Sequence, residues 1–140
     1  MVASEFAGEL DLADINFVRR RYDGMAAYRQ SKQANRMWTW ALARRLQGTG
    51  VTANAVHPGG VATGIFSKGG GLLGASASTY MRFAGKSPRE GADTVVWLAA
   101  GAELEGINGR FWFNRKERTC RFRDTPSEER LWEHCSRMTG

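Results

Sequence analysis

Tyr28 and Lys32 stand four residues apart in the run Tyr28-Arg29-Gln30-Ser31-Lys32, early in a stretch whose spacing predicts a helix from about Ala26 to Gln47. On an α-helix, residues i and i+4 share a face about one turn apart, so a phenol hydroxyl and an ammonium group can converge on a common point. A cation beside a phenol favours the phenolate, which makes Tyr28 a candidate general acid/base. The same spacing also occurs on ordinary helices, where the tyrosine packs and the lysine reaches into water. The pair by itself therefore does not separate a reactive site from a surface turn.

The elements around the pair narrow the choice. Ala34, Trp38, Leu42 and Leu46 recur every four residues, with Met37 and Ala41 beside them, and predict an apolar stripe with Tyr28 and Lys32 at its edge. Arg45 falls inside this stripe and needs either a partner or a path to water. Gly48-Thr49-Gly50 is read as the helix end, with glycine as the left-handed cap. The stretch from Val51 to Val56, bounded by Gly50 and Pro58, reads as a buried strand. Helix, tight turn and strand make half of a βαβ unit, and in open α/β sheets ligands bind beyond the carboxyl ends of the strands. Pro58, Gly59 and Gly60 fall at that place, although unaided they read as a turn.

The longer run Tyr28-Arg29-Gln30-Ser31-Lys32-Gln33-Ala34-Asn35, followed by Ala43-Arg44-Arg45-Leu46 and then by Val56-His57-Pro58-Gly59-Gly60-Val61-Ala62-Thr63, resembles the short-chain dehydrogenase/reductase family, and in particular its retinol-dehydrogenase-like branch. The resemblance runs from about Val2 to the carboxyl terminus. It implies an α/β fold, the C-terminal half of a Rossmann-type doubly wound parallel sheet. It also implies reversible hydride transfer between NAD or NADP and a small alcohol/carbonyl substrate. By the same resemblance Tyr28 is the acid/base, and Lys32 supports it and holds the nicotinamide ribose. Ser4, which ends the preceding strand, orients the substrate carbonyl, with Ala3 standing where the branch has a second serine. Pro58, Gly59, Val61 and Thr63 would contact the nicotinamide end, Val61 through its backbone and Thr63 through its hydroxyl. His57 is read as structural.

The family carries its glycine-rich cofactor fingerprint, the residue that chooses NAD or NADP, and an active-site asparagine ahead of this serine. They have no counterpart there in this chain, so residues 1–140 are expected to form a partial domain. The competing expectation is a truncated, non-catalytic remnant acting as an interaction module or a weak basic nucleic-acid binder.

The composition, 42% hydrophobic and 24% charged over 140 residues, fits one globular unit without disorder. No apolar run reaches the ~20 residues of a membrane span and no signal sequence follows Met1, so a cytoplasmic location is expected. Cys120 and Cys135 lack metal-ligand spacing and are read as reduced. A net charge of +6, with basic clusters at Arg19-Arg20-Arg21 and from Arg115 to Arg123, raises nucleic-acid binding, but a solvated surface explains it more simply. A homo-oligomer is left open.

Leu10 to Ile15 reads as strand or packed loop, and Ser67 to Gly74 as a mobile flap, since no strand directly precedes its glycines. Ser87-Pro88-Arg89-Glu90 is a capping box opening a helix that stops near Gly101. A strand from Gly109 to Phe113 and a last helix capped at Thr125 complete the chain.

Overall fold

The computed structural model describes residues 1–61 and 85–140. Three helices and a small mixed sheet are built from them. Helix α1 spans Gly24–Arg45, where the Asp23 carboxylate accepts from the Ala26 N–H at 2.6 Å as its N-cap. Its last turn carries Arg44 and Arg45, the charge sign that the carboxyl end of a helix dipole favours. The chain leaves the helix at Leu46, two residues before Gly48 (φ +76°), so the left-handed glycine lies in the following turn and is not the cap itself.

Strand β1, Ala55–His57, pairs in parallel with β2, Phe111–Phe113, with Ala55 opposite Phe111 and His57 opposite Phe113. On the other side of β1, Val2 makes a single parallel bridge to Val56, through Ala3 N–H to Val56 C=O at 2.7 Å and Val56 N–H to Met1 C=O at 2.9 Å. The strand that the resemblance implies ahead of Ser4 is thus present as this one bridge. Sequence reading missed β3, Lys116–Glu117, which turns back antiparallel onto β2. The turn residues Asn114 and Arg115 have φ of 50° and 57°, the two positive values of a type I′ hairpin. Asn-Arg lacks the glycine that would have advertised such a turn. Both strands are shorter than expected.

Side chains alternate across the sheet. Ala55 and Phe111 face a core with Ala3, Met37, Trp40 and Leu131, while Val56 and Trp112 face a second cluster with Leu104. Helix α1 and helix α3, Thr125–Thr139, pack on the first side. Helix α2, Pro88–Ala100, lies on the second, opened by the expected capping box between Ser87 and Glu90. Helices on both faces of parallel strands are the α/β arrangement that the sequence implied. The cap of α3 is Asp124, not Thr125: an ionised carboxylate one residue earlier accepts from Ser127 N–H at 3.0 Å.

The buried face of α1 also differs from the expected stripe. Ala34, Trp38, Leu42 and Leu46 are half-buried, and the fully buried positions include Gln33, Arg36, Met37, Thr39, Trp40 and Ala41. Polar members escape a hydrophobicity count because each is buried with a hydrogen bond: Gln33 Nε2 to Phe122 C=O, Thr39 Oγ1 to Asn35 C=O, and Arg36 to Ser4 C=O. Leu10 to Ile15 is a loop, with Leu10, Leu12 and Ile15 packed on the core. The flap from Ser67 to Gly74 lies outside the described residues.

Candidate active site

Because Val2, β1 and β2 run parallel, their carboxyl ends bring Ser4, His57-Pro58-Gly59 and Phe113 to one end of the sheet. Helix α1 connects the Val2 strand to the start of β1 and must run back across the sheet, so its first turns begin at that same end. This is how the fold delivers Tyr28 and Lys32 to the strand termini. Both are half-buried, and Lys32 Nζ lies 5.6 Å from the Tyr28 ring centroid. The Ser31 hydroxyl donates to the Tyr28 carbonyl at 2.8 Å.

Ser4 is only 2% exposed. Its Oγ accepts from the Phe6 N–H at 3.1 Å, which fixes the hydroxyl at the strand end and leaves its proton to donate. No hydrogen bond joins the Tyr28 hydroxyl to Ser4 or Lys32 among the described residues. Arg36, one turn beyond Lys32, was not singled out from the sequence, although its i+4 spacing from Lys32 was there to be seen. Its guanidinium is buried, donates to the Ser4 carbonyl, lies 3.2 Å from Cys120 Sγ and sits 3.9 Å above the Phe111 ring. It ties the Ser4 backbone to the same helix that carries Tyr28.

Past β1 the chain turns sharply at Gly59, whose φ of +92° suits glycine. A Cβ there would also press on the Lys86 side chain at 3.1 Å. Val61 bridges Lys86 in parallel, and Lys86 N–H donates to Gly60 C=O at 2.8 Å. The Lys86 ammonium reaches Asn114 Oδ1 at the end of β2. Gly91, in the first turn of α2, lets the helix close on Val61, because a Cβ on it would stand 2.4 Å from Val61 Cγ2. Pro58, Gly59 and Val61 are therefore held at the strand ends, and Thr63 lies outside the described residues.

His57 is buried against Phe113, with ring centroids 4.9 Å apart, and its Nδ1 has no partner among the described residues. Burial pushes its pKa below the ordinary histidine value; Glu5, 3.8 Å from Nε2, opposes this, and Arg36 and Lys86 add to it. It is a neutral ring at neutral pH, in keeping with a structural reading.

Comparison with known proteins agrees with this geometry. The short chain dehydrogenase family profile matches residues 17–70. Retinol dehydrogenase 13 of Mus musculus is 36% identical over 141 residues, covering 96% of this chain and 42% of that protein. Polyprenol dehydrogenase of Mus musculus is 38% identical over 146 residues, covering 99% of this chain and 42% of that protein. A crystal structure of an uncharacterized protein from Mycobacterium paratuberculosis superposes with a TM-score of 0.66 at 25% identity, covering 99% of this chain and 48% of that one. The chain belongs to the short-chain dehydrogenase/reductase family, and its fold is part of a Rossmann-type α/β sheet. Within the family it falls in the retinol-dehydrogenase-like branch. It spans about two fifths of the length of the curated relatives it matches.

Proposed function

We propose that the chain carries the acid/base half of an NAD(P)-dependent oxidoreductase acting on an alcohol/carbonyl pair. What supports this reading is that Tyr28 and Lys32 share one face of α1 near its start, while Ser4 and Pro58-Gly59 follow the carboxyl ends of neighbouring parallel strands. The residues present fit the nicotinamide-ribose end of such a cofactor. The Lys32 ammonium offers donors to ribose hydroxyls, and Pro58, Gly59 and Val61 present backbone at the strand ends, with Thr63 beyond them in the sequence. The nicotinamide, when bound, supplies or accepts the hydride.

The chain's own groups handle the proton and the orientation. The Tyr28 hydroxyl gives its proton to the substrate oxygen during reduction and takes one back during oxidation. Lys32 keeps a positive charge on the same helix face, its Nζ 5.6 Å from the Tyr28 ring centroid. Ser4 donates its hydroxyl proton to the same oxygen and fixes its direction, held by Phe6 N–H on one side and Arg36 on the other. The substrate is a small alcohol or carbonyl compound.

The test is NADH- and NADPH-dependent reduction of an aldehyde panel. Tyr28→Phe is expected to lower kcat/KM by about 10²–10⁴-fold with cofactor affinity kept, since only the transferable proton is lost. Lys32→Ala is expected to weaken both. An active Tyr28→Phe protein would sink the assignment. A second reading, a non-catalytic interaction module, draws on the Ser4 Oγ being engaged by Phe6 N–H in place of Tyr28. A folded wild-type chain without turnover on any aldehyde would favour it.

A further inference from the structure

The two basic clusters of the chain differ once folded. In the first, Arg19 donates to the Ala13 carbonyl and Arg20 lies against Asp11 and Asp14, so Arg21 alone has no partner among the described residues. In the second, Arg115 pairs with Asp93 of α2, but Lys116, Arg118, Arg121 and Arg123 have no carboxylate at ion-pair distance among the described residues. The carboxylates that adjoin them in sequence are engaged: Glu117 takes Arg110 at 3.0 Å, and Asp124 caps α3 through the Ser127 N–H at 3.0 Å. All four cations are exposed. On a protein that is +6 overall, such an uncompensated margin attracts a polyanion.

The backbone that carries these cations is fixed. β3 pairs with β2, Arg118 N–H donates to Phe111 C=O at 2.7 Å, and the fully buried Gln33 amide of α1 donates to Phe122 C=O at 3.0 Å. Lys116 and Arg118, two residues apart, project to one side of the hairpin, where Arg118 approaches the Phe113 ring to 5.6 Å. The loop then crosses α1 at Arg36 and Gln33, and Arg123 lies 5.0 Å from the Trp40 ring of the same helix. Phe122, between Arg121 and Arg123, leaves 43% of its surface exposed although its carbonyl is pinned from within. Guanidinium forks match phosphate oxygens, and an exposed ring beside them offers a stacking face to an unpaired base. A bilayer would need an apolar face of several side chains, and Phe122 is the single large apolar side chain exposed between Lys116 and Asp124. A duplex keeps its base faces stacked inside, out of reach of the ring.

We propose that the margin formed by Lys116, Arg118, Arg121, Phe122 and Arg123 binds a single-stranded nucleic acid, with phosphates on the cations and one base stacked on Phe122. It uses none of the residues assigned to hydride transfer, so it stands whether or not the chain reduces an aldehyde. Its test is fluorescence anisotropy of a labelled oligothymidylate of about 12 nucleotides, titrated with the full chain between about 50 and 200 mM salt. The logarithm of the association constant is expected to fall against the logarithm of salt concentration with a slope of about −3, four phosphate contacts at about −0.7 each. Arg121→Gln and Lys116→Gln should each flatten that slope by about 0.7, whereas Arg21→Gln, an equal loss of charge in the first cluster, should leave it unchanged. Phe122→Ala should weaken binding about fivefold or more at constant slope, the loss of one stacked base. A duplex of the same length should bind less tightly than the single strand and not respond to Phe122→Ala. All four substitutions fall at exposed positions, so each variant is expected to keep the fold. Four results would overturn the proposal: no saturable binding at about 50 mM salt, Arg21→Gln flattening the slope as much as Arg121→Gln, a duplex bound as tightly as the single strand, or Phe122→Ala releasing the chain from phosphatidylserine vesicles while keeping its affinity for the strand.

Discussion

The two halves of α1 are built on different terms. From Ala34 to Arg45 the helix is clamped: Trp38 stacks on Trp132 of α3 with centroids 5.3 Å apart, and Arg44 reaches the buried Glu128 as well as Glu129. Arg45 joins Glu129 at 2.6 Å and covers the Trp132 ring at 4.3 Å, while Asn108 Nδ2 holds the Ala43 carbonyl at 2.8 Å. From Gly24 to Gln33 the clamps are fewer and fall on Gln30 and Gln33, which leaves Tyr28 and Lys32 half-buried with the face between them open. The acid/base role proposed for Tyr28 needs access and exact placement together. A rear held rigid and continuous with an accessible front along one hydrogen-bonded helix would meet both needs.

Substitutions at the rear should therefore act on stability, and those at the front should leave it alone. Trp40→Ala is the strongest way to test the rear. The side chain is 1% exposed in the core of α1, the sheet and α3, and its loss is expected to cost about 3–5 kcal/mol, read by urea unfolding. A loss below about 1 kcal/mol would mean that the rear is not the anchor. Arg44→Ala comes next, because it strands the fully buried Glu128 carboxylate. The expected loss is about 3 kcal/mol, reduced when Glu128→Gln is added to neutralise the stranded group. If the double variant is no more stable than Arg44→Ala, packing and not charge holds this seam.

Gly91→Ala probes the link between the second side of the sheet and the strand-end turn. The new methyl would meet Val61 at 2.4 Å, so either α2 backs away or Val61 shifts, at an expected cost of about 1–3 kcal/mol. The comparison predicts more than lost stability here. Val61 sits in the proposed nicotinamide turn, so cofactor affinity should fall as well, in contrast with Trp40→Ala in a protein that remains folded at low temperature. Unchanged affinity would detach Val61 from the site.

The same contrast explains what was legible in the sequence. The front could be proposed from the sequence because chemistry constrains residue type: Tyr28, Lys32 and Pro58-Gly59 keep short spacings on one helix and one turn. The capping box at Ser87 was readable because it is local. The rear was misread because its burial is set by partners remote in sequence. Arg36 is buried against Ser4 and Phe111, and Gln33 against Phe122, and polar side chains vanish from an apolar periodicity even when they form the core face. Hairpin β2–β3 was missed because Asn114 and Arg115 take positive φ without glycine. The seat at Gly91 becomes visible only once Val61 is placed against α2.

The smallest expected effect belongs to His57, which lies at the front yet is buried like the rear. Its folded-state pKa is depressed below the ordinary 6.5, first by burial and then by Arg36 and Lys86, with Glu5 pulling the other way. As pH falls through the unfolded-state value, the unfolded chain takes up a proton that the folded chain refuses, so this contribution is intact above about pH 6.5 and is lost progressively below it. His57→Asn should flatten the stability profile between about pH 6.5 and 5, where unperturbed carboxylates stay ionised. Glu129, held down to about 2 by Arg45 and Arg44, acts in a separate window, since its contribution holds above about 4.5 and fades towards 2. Urea midpoints of wild type, His57→Asn and Glu129→Gln measured from pH 8 to 3 distinguish the two. If His57→Asn tracks wild type down to pH 5, the ring is not held neutral by burial, and the strand end is wetter than its packing against Phe113 indicates.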